Sequence, residues 1–516
     1  MKVVVIGAGV AGLTAAYELL KQCPDAEVII LEESDCVGGI SRTVRYKNNR
    51  MDLGGHRFFS KSERVNSMWE ELMPLQGKPA YDDKKLRRKG KLIKGNPDPE
   101  KEDIVMLIRK RISRIFFGHK FYDYPITAKV FLQFGFIKTI EAGISYLKSC
   151  LFKLPETNLE NFYINRFGKV LYSMFFEGYT EKLWGRHPSV ISADWGAQRV
   201  KGISISAVLE DMLKKLCGAS STDQTSLIEE FTYPKYGVGQ MWEVCADKVR
   251  EMGGTIVFNS KVTNICVSDG KITHVVADSN GSTITYDNID YLFSSMPIKD
   301  LVNDITVDGA GVPEHIRCIA NGLPYRDFMT VGIKVRRLLV KNTTKYETIN
   351  NNIPDCWIYV QDSGLKMGRI QVFNNWSPYM VDAPDRYMWL GLEYFCQEGD
   401  KYWCMPDEKF AKAAARELVR MKLIKSEREV LDYHVVRVKK AYPAYFDTYS
   451  QIDEVISYLD TFSNLYCIGR NGQHRYNNMD HSMMTAFEAV DNIISSKKDK
   501  GNVWNVNTEK VYHEKK

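Results

Sequence analysis

Long apolar runs are scarce in this sequence of 516 residues. Its apolar stretches, such as residues 3–6 and 28–31, fall far short of the ~20 residues that a membrane-spanning helix needs. The first twenty residues also lack the pattern of a secretory signal peptide, because glycines interrupt their apolar part and no small-residue cleavage site follows. We therefore expect a cytoplasmic protein without a transmembrane segment.

Cysteine patterns that would bind a metal are missing as well. The 11 cysteines include no CxxC pair, and no His/Cys cluster has metal-ligand spacing. This usage is typical of free thiols in a reducing compartment, and it predicts no metal site.

Repeats and low-complexity linkers are also absent. A composition of 44% hydrophobic and 26% charged residues is typical of a globular protein with two or three domains.

Positive charge is concentrated in one part of the chain. The net charge is +6, and residues 81–120 alone hold 13 Lys and Arg against 6 Asp and Glu, which makes +7. The run 84–91 and the cluster 109–114 could bind phosphate groups or an anionic membrane surface, and the simpler interpretation is a solvated face of an inserted segment. Nucleic-acid binding is disfavoured, because no aromatic interleaving or known nucleic-acid module accompanies the charge.

The N-terminal residues have the pattern of a dinucleotide-binding fold. Residues 2–6 are short and rich in valine, as in a buried parallel strand, and a helix is expected over 13–21. A glycine-rich loop joins them, and its spaced glycines are Gly7, Gly9 and Gly12. The first permits a tight turn, the second lets a phosphate approach the backbone, and the third lets the helix pack against the strand.

An acidic residue stands where a dinucleotide needs one. A second strand is expected over 27–31, and Glu32 follows it, twenty residues after Gly12. At this distance an acidic side chain binds the ribose hydroxyls. The helix N-terminus would offer its N–H groups and the positive end of its dipole to the pyrophosphate. The strand, the loop, the helix, the second strand and the acidic residue follow one another in the order and at the spacing of a dinucleotide-binding fold. The sequence therefore predicts a dinucleotide cofactor.

Further glycine pairs favour FAD over NAD as this cofactor. Residues 34–43 include Gly38, Gly39 and Arg42. They resemble the element with which flavoproteins of the amine-oxidase and glutathione-reductase superfamily close over FAD. A second pair, Gly54 and Gly55, precedes His56, where the backbone could pass close to a flavin ring.

Later segments extend the resemblance to this superfamily. Residues 253–262, which end at Val262, resemble the strand whose backbone holds the adenine. Arg470 precedes a helical stretch over 480–491 whose N-terminus would face the flavin pyrimidine. Two residues of its first turn are implied to contact FAD, Ser482 and Met483.

A helix start is also predicted just after the second glycine pair. Ser60 and Glu63 have the spacing of a capping box, in which side chains at the helix N-terminus bond to its first N–H groups. The apolar face of this helix would consist of Val65, Met68, Trp69 and Leu72.

The sequence around Tyr179 narrows the resemblance to one family. Residues 175–185 are FFEGYTEKLWG, which is similar to a stretch of the UDP-galactopyranose mutases. The similarity covers nearly the whole chain, apart from an apparent insertion at about 88–118. These flavoenzymes interconvert the six- and five-membered rings of a nucleotide-bound galactose, with N5 of reduced FAD as the covalent nucleophile. The resemblance implies conversion of UDP-galactopyranose to UDP-galactofuranose, or of a close analogue, in cell-surface polysaccharide biosynthesis.

The same resemblance implies a set of active-site residues. Arg199 and Arg369 would bind the diphosphate, because a planar guanidinium can hold it bidentately. The other matching positions in the active site are His56 beside the flavin, Trp184 in the sugar pocket, and Tyr359, Tyr442, Tyr476 and Asn478. Contacts to the substrate nucleotide are implied for Tyr124, Phe59 and Trp376, and contacts to FAD for Arg470 and Asn478.

Simpler interpretations of these residues stay open. His56 could be a buried structural histidine, Trp184 and Trp376 could be core aromatics, and the arginines could form ordinary ion pairs. The sequence also departs from the family pattern. Ile126 and Thr127 stand where the family often has a glutamine that reads the base, which leaves the nucleotide open. The flavin would need reduction by NADPH or NADH, and the sequence shows no clear site for either.

A second function is compatible with the same fold. A flavin-dependent oxidoreductase, such as an amine oxidase, protoporphyrinogen oxidase or desaturase, would share the cofactor domain, and fold alone cannot separate the two. The arginine pair favours the mutase, because an apolar or amine substrate does not need a diphosphate clamp. A flavin-bearing scaffold that docks to membrane glycosyltransferases is a third, non-enzymatic alternative.

The expected architecture is an α/β fold with a Rossmann-like, glutathione-reductase-type FAD-binding domain. This domain would be discontinuous, made of residues 1–60, 226–300 and 460–516. A mostly helical substrate lobe is expected over 61–225 and a mixed or antiparallel sheet over 301–459. The active site should lie where these parts meet, at the carboxyl ends of the parallel strands.

Overall fold

The computed structural model describes residues 1–124, 135–193 and 230–507. Their strands are β1 (Lys2–Ile6), β2 (Glu27–Leu31), β3 (Thr43–Tyr46), β4 (Asn49–Asp52), β5 (Met106–Lys110), β6 (Ser113–Phe117), β7 (Lys120–Asp123), β8 (Glu230–Pro234), β9 (Thr255–Val257), β10 (Ser260–Ser268), β11 (Lys271–Ser279), β12 (Ser282–Asp287), β13 (Tyr291–Ser294), β14 (Ile305–Val307), β15 (Ala310–Gly311), β16 (Tyr325–Val335), β17 (Trp357–Val360), β18 (Arg369–Val372), β19 (Met388–Cys396), β20 (Val430–Pro443) and β21 (Leu465–Cys467). Their helices are α1 (Val10–Gln22), α2 (Glu63–Leu72), α3 (Tyr81–Lys85), α4 (Phe136–Leu151), α5 (Leu159–Tyr172), α6 (Gly178–Trp184), α7 (Val238–Glu251), α8 (Ile298–Asp304), α9 (Glu314–Gly322), α10 (Phe373–Trp376), α11 (Asp407–Arg420), α12 (Ile452–Asp460), α13 (Gly469–Gly472), α14 (Met479–Ile494) and α15 (Gly501–Trp504).

Five parallel strands form the sheet of the dinucleotide-binding domain, in the order β21-β13-β1-β2-β9. Val3, Val4 and Val5 of the central strand are fully buried, because helices and a second sheet cover its two faces. The strands come from both ends and the middle of the chain. The predicted α/β fold with a Rossmann-like domain is confirmed.

Helices α1, α7 and α14 pack on one face of this sheet. The sequence predicts one apolar stripe on α14, made of Met483, Phe487, Val490 and Ile494. The first three are fully buried, whereas Ile494 at the end of the helix is 43% exposed. The N-terminus of α1 lies at the carboxyl end of β1, directly after the glycine loop. This geometry places the positive end of the helix dipole where a pyrophosphate would lie.

Helix α2 begins two residues later than a capping box at Ser60 would require. The cap is Ser62, whose Oγ accepts the N–H of Val65 at 3.4 Å, while Ser60 Oγ accepts the N–H of Ser62 at 3.1 Å. The predicted box is therefore wrong by position, because a bend at Lys61 precedes the helix and Ser62 lies at its N-terminus. The predicted apolar face is buried as expected: Val65, Met68, Trp69 and Leu72.

A second large sheet has seven strands, in the order β20-β16-β19-β18-β17-β6-β7. Its strands pair antiparallel except for β17 and β6, which run parallel, so the sheet is mixed as predicted. Strands β6 and β7 come from the lobe that the sequence predicted to be mostly helical. That lobe contributes β5 as well, which pairs with β8.

Part of the apparent insertion at 88–118 is buried, including two of its arginines. Arg109 is 4% exposed and its guanidinium binds both oxygens of Asp82, at 3.1 and 2.6 Å. Arg114 is 7% exposed and binds Asp355 at 2.8 and 2.5 Å. These arginines are thus neither a phosphate-binding surface nor a solvated face, because a buried guanidinium must be paired with a carboxylate. The run 84–91 remains at the surface.

Within the described ranges, none of the helices is both long and apolar enough to cross a lipid bilayer. Ten of the cysteines lie in these ranges, and each of the ten is a free thiol.

Candidate active site

The glycine loop has the geometry that the sequence predicts. Gly7 has a φ of +95°, which favours glycine, and a Cβ on Gly12 would lie 2.0 Å from the carbonyl oxygen of Gly7. A Cβ on Gly9 would meet only Gly39 Cα, at 4.0 Å, so one side of the loop backbone can admit a phosphate. The loop therefore fits the pyrophosphate of a dinucleotide.

Glu32 lies beside this loop at the end of β2. Its carboxylate accepts the N–H of Ala8 at 2.7 Å and both the N–H and hydroxyl of Ser34, at 3.0 and 2.6 Å. The backbone of Glu32 also bonds to Val257 and Ser260, which join it to the segment that contains β9 and β10. The predicted adenine residue Val262 is 4% exposed in β10, in the core that also contains Leu31.

The glycine pair Gly38 and Gly39 lies against the first loop. The N–H of Gly38 donates to the carbonyl oxygen of Ala8 at 2.8 Å, and a Cβ on Gly39 would lie 3.4 Å from Gly9 Cα. Arg42 closes this turn, because its Nη1 donates to the carbonyl oxygen of Gly39 at 3.2 Å. This brings both predicted FAD elements to one surface.

The N-termini of α13 and α14 lie near the same loop. A Cβ on Gly469 would lie 2.8 Å from Ala11 Cβ, and the N–H of Gly469 donates to Thr485 Oγ1 at 2.8 Å. Asn478 is exposed at the start of α14, and its N–H donates to His481 Nδ1 at 3.3 Å. Among the other residues predicted to bind FAD, Ser482 and Met483 are buried in the first turn of this helix.

The loop that carries His56 contacts the seven-stranded sheet. Gly54 has a φ of +100°, and a Cβ on Gly55 would lie 2.9 Å from Gln371 Nε2. Burial lowers the pKa of His56 to about 3, and the positive charges of Arg470 and Arg369 act in the same direction. His56 is therefore neutral at physiological pH.

Arg369 lies at the centre of the site, on β18. Its Nε and Nη2 bind Glu393 Oε2 at 2.8 and 2.6 Å, and Nη2 also donates to Tyr442 Oη at 2.8 Å. Glu393 is fully buried, and its second oxygen accepts Gln371 Nε2 at 2.7 Å. Burial alone would lower the pKa of Arg369, but the Glu393 carboxylate raises it well above its ordinary value. The site thus holds a fixed positive charge.

Tyrosines form the wall around this arginine. Tyr442 stacks on Tyr476 with ring centroids 5.6 Å apart, and the guanidinium of Arg470 lies 4.8 Å from the Tyr476 ring. Burial raises the pKa of Tyr442 to about 12, although Arg369 acts against this shift. Tyr442 accepts the bond from Arg369 and keeps its own proton, which it can donate to a ligand oxygen.

Three further tyrosines approach from the other side of β18. Tyr359 on β17 packs edge-on against Tyr179, with ring centroids 5.7 Å apart, and lies 4.9 Å from the Tyr124 ring. Burial raises the pKa of Tyr179 well above its ordinary value, with Arg369 opposing the shift. The structure therefore brings together the predicted residues Arg369, Tyr442, Tyr476, Tyr359 and Tyr124.

Both predicted tryptophans lie in the core instead. Trp376 is 1% exposed, stacks on Trp357 at 5.5 Å and donates its indole N–H to the Cys356 carbonyl oxygen at 2.8 Å. Trp184 is 2% exposed and packs edge-on against Phe446. Neither indole presents surface to a ligand in the described structure, and the predicted substrate contacts of both stay predictions. Phe59, the third predicted aromatic contact, is half-buried.

The sequence interpretation missed three residues of this site. Glu393 and Gln371 position Arg369, and Tyr179 was quoted in the family stretch without a role. Glu393 has a signal in the sequence, because it is the single charged residue in the apolar strand β19, and a buried carboxylate needs a charged partner. The predicted partner of Arg369 in the diphosphate clamp, Arg199, lies outside the described residues.

Comparison with known proteins gives partial matches in sequence and full-length matches in structure. Residues 5–72 match the family described as NAD(P)-binding Rossmann-like domain. The FAD-binding monooxygenase stcW of Emericella nidulans is 36% identical over 58 residues, which cover 11% of this chain and 10% of that protein. The coproporphyrinogen III oxidase of Mycobacterium tuberculosis is 35% identical over 69 residues, 13% of this chain and 15% of that protein. The chain thus matches about a tenth to a seventh of these relatives' length.

Among solved structures, reduced UDP-galactopyranose mutase superposes with a TM-score of 0.75 at 21% identity, over 98% of this chain and 96% of the mutase. Putrescine oxidase bound to putrescine superposes with a TM-score of 0.58 at 13% identity, over 96% and 99% of the two chains. At these identities the likeness is one of fold. The predicted flavoprotein resemblance is confirmed at that level: the chain has a flavoprotein fold with a Rossmann-type FAD-binding domain, and it shares this fold with UDP-galactopyranose mutase.

Proposed function

We propose that this protein is an FAD-dependent nucleotide-sugar mutase that converts UDP-galactopyranose to UDP-galactofuranose or acts on a close analogue. The observation that carries the proposal is the setting of Arg369. Its guanidinium is held by the buried carboxylate of Glu393 and donates to Tyr442, so a fixed cation and a phenol face the same space. A diphosphate is the anion that such a pair fits, since it accepts bonds from both.

The chemistry of ring contraction explains why this anion must be held in place. The diphosphate leaves the anomeric carbon and returns to it, so its position must be kept while the sugar rearranges. Arg369 and the hydroxyl of Tyr442 would hold the leaving group, and Tyr359 and Tyr476 would line its path. Arg199 is the proposed second cation of the clamp.

FAD fits the cradle formed by the glycine loop. Gly7 to Gly12 would bind its pyrophosphate, Glu32 its ribose, and the loop at Gly54 and Gly55 would lie against the ring system. When bound and reduced, FAD supplies the nucleophile for the sugar through N5 of its ring. Neutral His56 would lie beside the ring without adding a charge.

A second candidate is a flavin-dependent oxidoreductase, and the match to coproporphyrinogen III oxidase favours it. That match lies within the cofactor domain and covers 13% of this chain, so it bears on FAD and not on the substrate. An oxidase for an amine or a porphyrinogen has no use for Arg369 in a ring of tyrosines. We therefore rank the mutase first.

One assay separates the two functions. The purified flavoprotein is incubated with UDP-galactopyranose, with and without dithionite, and the products are separated by chromatography. We expect the furanose form only after reduction, because the oxidised flavin is not nucleophilic. If no nucleotide sugar is converted while molecular oxygen is consumed with putrescine or coproporphyrinogen III, the mutase proposal is wrong.

A further inference from the structure

An exposed apolar stripe runs along the whole of α4. Its residues are separated by three, four, three and four positions, and their exposed fractions are high: Ile137 (74%), Ile140 (45%), Ile144 (63%), Leu147 (62%) and Leu151 (78%). The opposite face of the helix is buried, with Ala142 at 1% and Ser149 at 6% exposed, and α4 packs there against α5. The helix is thus anchored on one side and apolar on its solvent side.

The spacing of this stripe is that of a coiled-coil seam. A repeat of three and four positions keeps apolar residues in one narrow line, whereas the core-facing stripe of a globular helix is wider. Leu154, just beyond the helix, is also 41% exposed. The five aliphatic side chains on α4 make a patch on the order of several hundred Å², at the upper end of what monomers expose.

We propose that α4 pairs with α4 of a second copy of this chain, in an antiparallel two-helix coiled coil. With the two-fold axis between Ile144 and Leu147, each of these residues packs on the other one in the second copy. Ile140 then meets Leu151. All four layers that the two helices form in this pairing are aliphatic, and the two-fold symmetry makes the stripe its own complement.

Charges beside the stripe support this orientation. Glu141 and Lys148 are exposed and occupy the same flanking position of the repeat, one heptad apart. In the antiparallel register Glu141 lies beside Lys148 of the second copy, and the symmetry forms this pair twice. In a parallel pair Lys148 would face Gly143 of the second copy, which carries no charge, and Glu141 would not face a lysine or arginine. The sequence of α4 therefore favours an antiparallel partner identical to itself.

An anionic membrane is the other surface that an amphipathic helix could contact. We place it second, because the stripe is narrow, contains three β-branched isoleucines and has an acidic residue beside it, whereas membrane-surface helices have a basic polar face. A segment of the same chain is a third occupant. The experiments below give different results for the three.

The first experiment measures the mass of the full-length protein by sedimentation equilibrium at micromolar concentration. We expect twice the chain mass of 59.2 kDa for the wild type and a single chain for Ile144→Asp. The matched control is Ile104→Asp, at an isoleucine that is 49% exposed outside α4, and it should stay dimeric. A monomeric wild type, or a dimer that persists in Ile144→Asp, would overturn the proposal.

The second experiment exchanges the flanking charges, which leaves the apolar seam and the fold unchanged. Glu141→Lys and Lys148→Glu should each weaken dimerisation at least tenfold, because each places like charges side by side. The double variant should restore the wild-type dissociation constant. A membrane-bound helix would respond differently: vesicles of phosphatidylserine would bind Glu141→Lys more tightly and Lys148→Glu less. That result, or failure of the double variant to recover, contradicts the antiparallel pair.

The third experiment tests the register directly. Gly143 and Cys150 flank the other side of the stripe, and the antiparallel register brings Gly143 next to Cys150 of the second copy. Gly143→Cys should therefore form a covalent dimer under mild oxidation, which adding Cys150→Ser prevents. If the stripe is covered by another segment of its own chain, no such dimer forms and the proposal fails.

Discussion

Glu393 and Arg369 form a buried ion pair in which Glu393 Oε2 lies 2.8 Å from Nε and 2.6 Å from Nη2 of the arginine. The carboxylate is fully covered, while 16% of the arginine side chain is exposed. The carboxylate of this pair therefore faces the core, and the guanidinium faces the candidate site. Glu393 also accepts a bond from Gln371, which lies against the backbone of Gly55. Arg369, the proposed anion-binding residue, and the loop at Gly55 are thus both connected to one carboxylate.

Replacing Glu393 should destabilise the fold strongly. Glu393→Gln removes the charge that compensates a buried guanidinium, and breaking a buried pair from one side costs about 3–5 kcal/mol. Urea unfolding of the protein, followed by circular dichroism, measures this loss. The matched control is Glu398→Gln, whose exposed pair with Lys439 should contribute about 0–1 kcal/mol. Equal effects of the two substitutions would show that Glu393 is not the support of Arg369.

Removing Arg369 should weaken binding of UDP. Arg369→Ala, and likewise Arg199→Ala, should each raise the dissociation constant of UDP at least ~10-fold, which is about 1.4 kcal/mol. Isothermal titration calorimetry of the flavin-loaded protein gives this constant. Arg416→Ala, at an arginine whose side chain is 65% exposed in an ion pair with Glu427, should bind UDP like the wild type. Unchanged affinity in both clamp variants would exclude a diphosphate site there.

Closing the glycine loop should abolish binding of the cofactor. In Gly12→Ala the new Cβ would lie 2.0 Å from the Gly7 carbonyl oxygen, so the turn must open and the helix must shift from β1. We expect the purified variant to lose the flavin absorbance. Gly90→Ala is the control, because a Cβ there meets no atom within 4 Å. A Gly12→Ala protein with full flavin content would contradict the assigned role of the loop.

Buried His474 should make the protein less stable in acid. Burial lowers its pKa from 6.5 to about 4, and its Nε2 lies 3.1 Å from the Ala444 carbonyl oxygen. Between these two pH values the unfolded chain binds more protons than the folded one, so the free energy of unfolding falls as the pH falls. His474→Gln should reduce that slope by at most about 1.4 kcal/mol per pH unit.

Urea unfolding at several pH values between 4 and 6.5 checks this slope. His315→Gln, at an exposed histidine, is the control and should keep the wild-type pH dependence. If His474→Gln unfolds with the same pH dependence as the wild type, then burial of this histidine does not contribute to acid sensitivity.

The sequence alone determined the cofactor domain. Strand β1, the glycine loop, α1 and β2 follow one another locally, and each has a short-range signature: apolar valines, glycines at fixed positions, and helical periodicity. The family resemblance then pointed to the tyrosines and to Arg369. The prediction of the Rossmann-type domain succeeded because neighbours in the sequence carried the information, whereas the roles of the tyrosines and of Arg369 stay predictions.

Tertiary structure alone decided the environment of the site. Glu393 lies 24 positions from Arg369, and Tyr442 lies 73 positions from it, so their contacts depend on the order of the strands in the seven-stranded sheet. We expected Trp376 to contact the substrate nucleotide and Arg109 to face phosphate groups or solvent. In the folded chain the indole of Trp376 is buried, and the guanidinium of Arg109 is paired with Asp82. Whether a side chain meets a ligand or a core is set by which elements cover it, and this is a property of the folded chain that local sequence does not contain.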